Sequence, residues 1–108
     1  MNVKRADKLS GIVQKAISDI IQFKVKSDKI GFVTVTAAQV TRDLSFCYVY
    51  VSILNDKNNE KFEALNKIKG FIRTELGREV QMRKIPEIVF KRDDYIENYR
   101  HIEELLKI

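Results

Sequence analysis

Tryptophan is absent from this chain of 108 residues, and proline, cysteine and histidine each occur once, as Pro86, Cys47 and His101. A lone cysteine excludes a disulfide framework and a cysteine-rich zinc site. It fits a reducing cytoplasmic setting, and in its strand-like run Cys47 reads as a small apolar packing residue. A Cys–His nucleophilic pair needs the thiol exposed in an electropositive pocket. The alternating apolar run around Cys47 predicts burial instead, and His101 reads as a surface residue of an acidic terminal stretch. No apolar run approaches transmembrane length, so no membrane role is expected. The amphipathic N-terminus lacks the apolar core of a signal peptide. Neither a Walker-type phosphate loop nor a dinucleotide glycine fingerprint occurs. Asp93-Asp94 follows Lys91-Arg92 directly and reads as a turn with local ion pairs rather than a metal site. No catalytic activity, cofactor or metal is expected.

What is present is a modest core and an uneven charge. The length fits a single domain spanning 1–108, and at 44% hydrophobic residues the chain stands clear of the disordered class. The net charge is +5. Residues 1–42 carry eight Lys or Arg against three Asp or Glu, and residues 67–92 carry the same numbers. Residues 43–66 and 93–108 are acidic on balance. If folding joins the two basic blocks, they form a patch suited to a polyphosphate. Scattered over helix faces, the same side chains would only solvate them.

The clearest element is a first helix with Leu9, Ile12, Val13, Ala16, Ile17, Ile20 and Ile21 on one apolar stripe. It is expected to end between Phe23 and Lys26, before Ser27-Asp28-Lys29 and Gly31. Residues 32–41 are rich in β-branched residues and read as a strand in which Val33, Val35 and Ala37 alternate with threonines and Ala38. After the turn Thr41-Arg42-Asp43, residues 46–54 read as a second strand. Cys47, Val49, Val51 and Ile53 take one face, and Phe46, Tyr48, Tyr50 and Ser52 take the other. The two strands are expected to form an antiparallel hairpin. A polar loop, 55–59, offers asparagine caps to the next helix. Phe62, Leu65, Ile68, Ile72, Leu76 and Val80 keep helical spacing, with Phe71 near the same face. Gly70 and Gly77 interrupt that run, and Gly70 sits where one helix bends into another. Pro86 ends the helical region. A short strand over 88–90 and a terminal helix over 95–108 complete the order. The expected fold is α+β, a three-stranded sheet packed on its helices.

Nucleic-acid binding is the function this pattern supports. KH domains clamp backbone nucleotides with a Gly-x-x-Gly loop between two helices. This chain has no such loop, and carries Ile68-Lys69-Gly70 at the corresponding place. A helix–glycine–helix junction still presents backbone N–H groups to a phosphate. Lys67, Lys69 and Arg73 surround it. Gly70 reads equally well as a packing glycine that lets the helices approach a strand. Arg42 stands at a hairpin tip, within reach of a phosphate or of Asp43, and Arg5 and Lys8 lie on the polar side of the first helix. Arg78, Arg83 and Lys84 continue the second basic block. Such side chains bind backbone charge without reading sequence. Tyr48 and Tyr50 share a strand face, where they read first as covering the sheet's open side or packing under the terminal helix, and second as stacking bases as RNA-binding sheets do.

Taken in order, these segments resemble the ribosome-binding factor A family. The resemblance runs from about Arg5 to the region of Leu106. It rests on Val33-Thr34-Val35-Thr36, on Arg42-Asp43-Leu44 leading to Val49-Tyr50-Val51-Ser52, and on Ala64-Leu65-Asn66-Lys67 leading to Gly70-Phe71-Ile72-Arg73. Arg83, Pro86, Glu87, Phe90 and Asp93 complete it. The family typically carries Ala-x-Gly at the kink, and here Ile68 replaces the alanine. The resemblance implies a type-II KH-like domain without the usual RNA loop, ordered α-β-β-α-kink-α-β with a C-terminal helix. It implies binding to the free 30S subunit and its 16S rRNA. It also implies late maturation including 16S 5′-end processing, growth in the cold, a GTPase assembly factor acting alongside, and a cytoplasmic monomer without enzyme activity. The long basic tail of some members is not expected, since the sequence closes on an acidic stretch. Two readings compete with this one: a basic protein-interaction module using the acidic 95–108 segment, and a general RNA-binding KH-like domain without a ribosomal role.

Overall fold

A computed structural model describes residues 3–25 and 28–93, with side chains of the first helix described from Lys8 onward. Helix α1 spans Val3–Asp19 and continues into a π-helical turn, Ile20–Lys24. Strands β1 (Val33–Val40) and β2 (Phe46–Ile53) follow. Helices α2 (Glu60–Lys67) and α3 (Lys69–Glu79) lead into strand β3 (Glu87–Arg92). The sheet order is β1-β2-β3, with β1 antiparallel and β3 parallel to β2. This is the expected α+β, KH-like arrangement. The helical crossover α2–α3 is what permits the parallel pairing, since a tight hairpin turn cannot return a strand in the same direction.

The helices cover one face of the sheet. Val13, Ile17 and Ile20 from α1 and its π turn, Leu65 from α2, and Ile72 and Leu76 from α3 are buried against Cys47, Val49, Val51, Ile88 and Phe90. The alternation expected of β2 is realised, with Cys47, Val49, Val51 and Ile53 all buried. Three sequence expectations are corrected. Ile12 and Phe71 are about half exposed (55% and 45%) rather than part of the buried stripes, because each sits at the margin of its helix's apolar face, next to the buried Val13 and Ile72. In β1 the register shifts between Val35 and Ala37, so Thr36 is the extra residue of a bulge. From there on Ala38 and Val40, not Ala37, turn toward the core.

The third correction concerns the helix cap. Asn58 and Asn59 adopt left-handed backbone (φ 59° and 60°), which asparagine tolerates, and neither caps α2 with its side chain. Asp56 does this instead. Its carboxylate accepts the N–H groups of Lys61 (2.7 Å) and Phe62 (3.2 Å). The same fully buried side chain pairs with Arg92 at 3.2 Å, which fastens the start of α2 to the end of β3. The expected terminal helix and His101 lie outside the described residues.

Candidate nucleic-acid interface

The long helical run between β2 and β3 breaks at Ile68, whose backbone (φ −103°, ψ 12°) is non-helical, and not at Gly70. Gly70 lies one residue inside α3, exposed, and a Cβ placed there would meet nothing within 4 Å. The packing role considered for Gly70 therefore has no support. Gly77 is the glycine in close packing, since a Cβ there would stand 3.3 Å from Ile85 Cγ1 in the loop before β3. The break gives α3 a start of its own, where first-turn N–H groups lack intrahelical partners.

Beside the break runs a groove of about 350 Å³, lined by Asn66, Lys67, Lys69, Gly70 and Arg73 on the helical side and Glu87, Ile88 and Val89 on β3. Four of the residues singled out from sequence thus share one concavity. Lys67 and Lys69 are exposed. Arg73 is partly committed, because its Nη2 donates to Ile85 O (2.9 Å) and holds the loop before β3. Glu87 brings one carboxylate among three cations. Asn66, Glu87, Ile88 and Val89 were missed by sequence reasoning: the β3 residues join the site only because that strand returns beside the helix break, and Asn66 carries no charge to mark it.

Arg42 and Lys84 meet at the same end of the sheet. Glu87 N–H donates to Ser45 O (2.9 Å), and Lys84 Nζ lies 3.4 Å from Ser45 Oγ. The β1–β2 turn of the first basic block is thereby tied to the loop of the second. Ser10 Oγ accepts the Val40 N–H (2.9 Å), which brings the first half of α1, with exposed Lys8, toward that end. Arg42 does not pair with Asp43. The Asp43 carboxylate accepts bonds from Ser45 N (3.0 Å), Ser45 Oγ (2.8 Å) and Thr41 Oγ1 (2.9 Å). These bonds, the Ser45 backbone N–H first, lower its pKa to about 2. Arg42 and Arg83 are exposed.

Arg78 does not line the groove. It faces Glu75 (3.8 Å) in a network where Lys24 Nζ reaches Glu75 (2.9 Å) and Glu79 (2.8 Å). Hydrogen bonds that Lys24 donates to Glu79 and then Glu75 raise its pKa. This network ties the π turn to α3. The side chain of Arg5 lies outside the described residues.

The Cys47 thiol is buried, and burial pushes its pKa up to about 11, far from a reactive thiolate. Among the described residues no group of three or more His, Cys, Asp or Glu is placed to hold a metal ion, and no helix is long and apolar enough to cross a membrane.

A family model described as Ribosome-binding factor A matches residues 5–106. The ribosome-binding factor A of Natranaerobius thermophilus is 48% identical over 109 residues, covering 99% of this chain and 83% of that protein. The crystal structure of ribosome-binding factor A from Thermus thermophilus superposes with a TM-score of 0.74 at 24% identity, over 81% of this chain and 93% of that one. A homology model of the Thermus thermophilus protein, fitted into a cryo-EM map of its complex with the 30S subunit, gives a TM-score of 0.69 at 24% identity, over the same shares of each chain. At that identity these two likenesses concern the fold.

Proposed function

From the premise that the chain belongs to the ribosome-binding factor A family, we propose that it is a non-catalytic assembly factor that binds the free 30S subunit through 16S rRNA. The observation that carries this reading is the groove beside the helix break, where Lys67, Lys69 and Arg73 flank the start of α3 along the edge of β3. Ammonium and guanidinium groups at a helix N-terminus suit phosphate oxygens, and an exposed glycine lets the backbone come close. Arg42 and Lys84, with Lys8 and Arg83 at the margins, extend the positive surface, while Arg78 contributes to α3's own ion pairs. Binding of this kind reads shape and phosphate rather than base sequence. The fitted 30S complex of the Thermus thermophilus protein supports the choice of particle.

In this role the chain acts as one domain and as a monomer in the cytoplasm, during late maturation that includes 16S 5′-end processing and supports growth in the cold. A GTPase assembly factor works alongside it. Co-sedimentation with separated 30S and 50S subunits and whole ribosomes, over a salt series, tests the proposal. The expected result is binding confined to free 30S subunits that falls steeply as salt rises, because bound phosphates release counterions. No binding to any particle at low salt would overturn it. Binding indifferent to salt would point to an apolar protein contact instead.

A further inference from the structure

Among the described residues the helices pack on one face of the sheet and leave the other open. Phe46, Tyr48 and Tyr50 of β2 stand on that face, opposite the buried Cys47, Val49 and Val51. Their in-register neighbours on β3 are Glu87, Val89 and Lys91. Phe46 is 40% exposed. The Phe46 and Tyr48 rings lie side by side, with centroids 6.5 Å apart and planes inclined by 27°. The Lys91 ammonium stands 5.3 Å from the Tyr48 ring centroid, within cation–π range.

Resting on the RNA-binding reading above, we propose that this face is a second RNA contact, on which an unpaired nucleobase stacks against Phe46 and Tyr48 beside Lys91. Two observations favour a nucleobase over an apolar protein segment. The first is continuity, because Glu87 and Val89 belong to the β3 stretch that also lines the groove. A strand whose phosphates sit at the helix break crosses only β3 to reach the rings. The second is charge. Lys91 stands on the face itself, Arg42 lies in the turn that leads into Phe46, and Lys84 lies beside Ser45. Glu87 and Asp93 are the carboxylates on the face, Asp93 at the end away from Phe46 where Thr36 Oγ1 donates to it (2.6 Å), and Asp43 is held by Ser45 and Thr41. At the Phe46–Tyr48 end a polyanion therefore meets Lys91, Arg42 and Lys84 against Glu87 and Asp43. Aromatic platforms beside such charge take bases of any sequence, since every base offers a π face. A duplex, whose bases are already stacked, cannot use them.

The test is fluorescence anisotropy of a labelled short single-stranded RNA and a duplex of equal length. Wild type is compared with the Phe46→Leu/Tyr48→Leu variant and with Lys91→Gln, each checked for folding by thermal melting. Loss of stacking is expected to weaken single-strand binding by at least about fivefold, with the salt dependence and duplex affinity unchanged. Unchanged single-strand affinity in the folded variant would overturn the proposal. So would an equal loss for the duplex, or a loss seen with 30S subunits alone, which would mark a protein contact. Should the leucine variant not fold, ultraviolet cross-linking of wild type to the single strand decides. Adducts at Phe46 or Tyr48 are expected, and adducts only elsewhere would overturn the proposal. Wild type that binds 30S subunits while failing these tests would leave the assembly-factor reading standing. Wild type that binds no particle would remove that reading, and the single-strand assay would still decide the stacking.

Discussion

Asp43 shows how one exposed carboxylate shapes a turn that carries Arg42. Three hydrogen bonds from Thr41 and Ser45 hold it, and they stabilise the ionised form. Its pKa falls from 3.8 to about 2. The stability that the bonded carboxylate contributes is therefore complete above the unfolded value of 3.8, and it is lost as pH falls through the folded value. Asp43→Asn is expected to melt below wild type at neutral pH and to lose less stability than wild type between pH 3.8 and about 2. Paired thermal melts across that range check this, and parallel acid responses in the two proteins would contradict it. The buried face of β2 was legible residue by residue, since strict alternation leaves one way to seat four apolar side chains on a sheet. The exposure of Ala37 was not, because a bulge inverts the alternation without altering the composition that announces a strand.

At the scale of elements, the helix–break–helix was legible and its geometry was not. Gly70 is the better helix breaker by propensity, yet the chain bends at Ile68. The half-buried Ile68 packs against the core, and tertiary contact outweighs the local preference. Gly70 is then a helical glycine in open space. Gly70→Ala is expected to stabilise the domain by about 0.5 kcal/mol through a less flexible unfolded chain. The same change is expected to weaken 30S binding, because the added methyl stands where a phosphate approaches the start of α3. Melting and co-sedimentation of one variant give both readings, and a stabilised protein with undiminished binding would remove Gly70 from the interface. The link from Asp56 to Arg92 and that from Lys24 to Glu75 and Glu79 were not legible, since each joins an element to one distant in sequence.

Across the whole molecule, topology decides which charges act together. The two basic blocks showed in the sequence as counts, and the parallel return of β3 gives them a common end. There Lys67, Lys69 and Arg73 line one groove, and Lys84 meets the turn that holds Arg42. Arg78, counted in the same block, turns to Glu75 on its own helix. The contribution of β3 to the groove was hidden because nothing in a short apolar run states whether it pairs parallel or antiparallel. The central claim is that phosphates of ribosomal RNA occupy this groove. It is tested most directly by the salt dependence of 30S binding for wild type and for Lys67→Gln/Lys69→Gln, two exposed lysines whose removal leaves the core intact. If both contact phosphate, the slope of log affinity against log salt should become shallower by about two, with weaker binding at low salt. An unchanged slope and affinity in the folded variant would contradict the account.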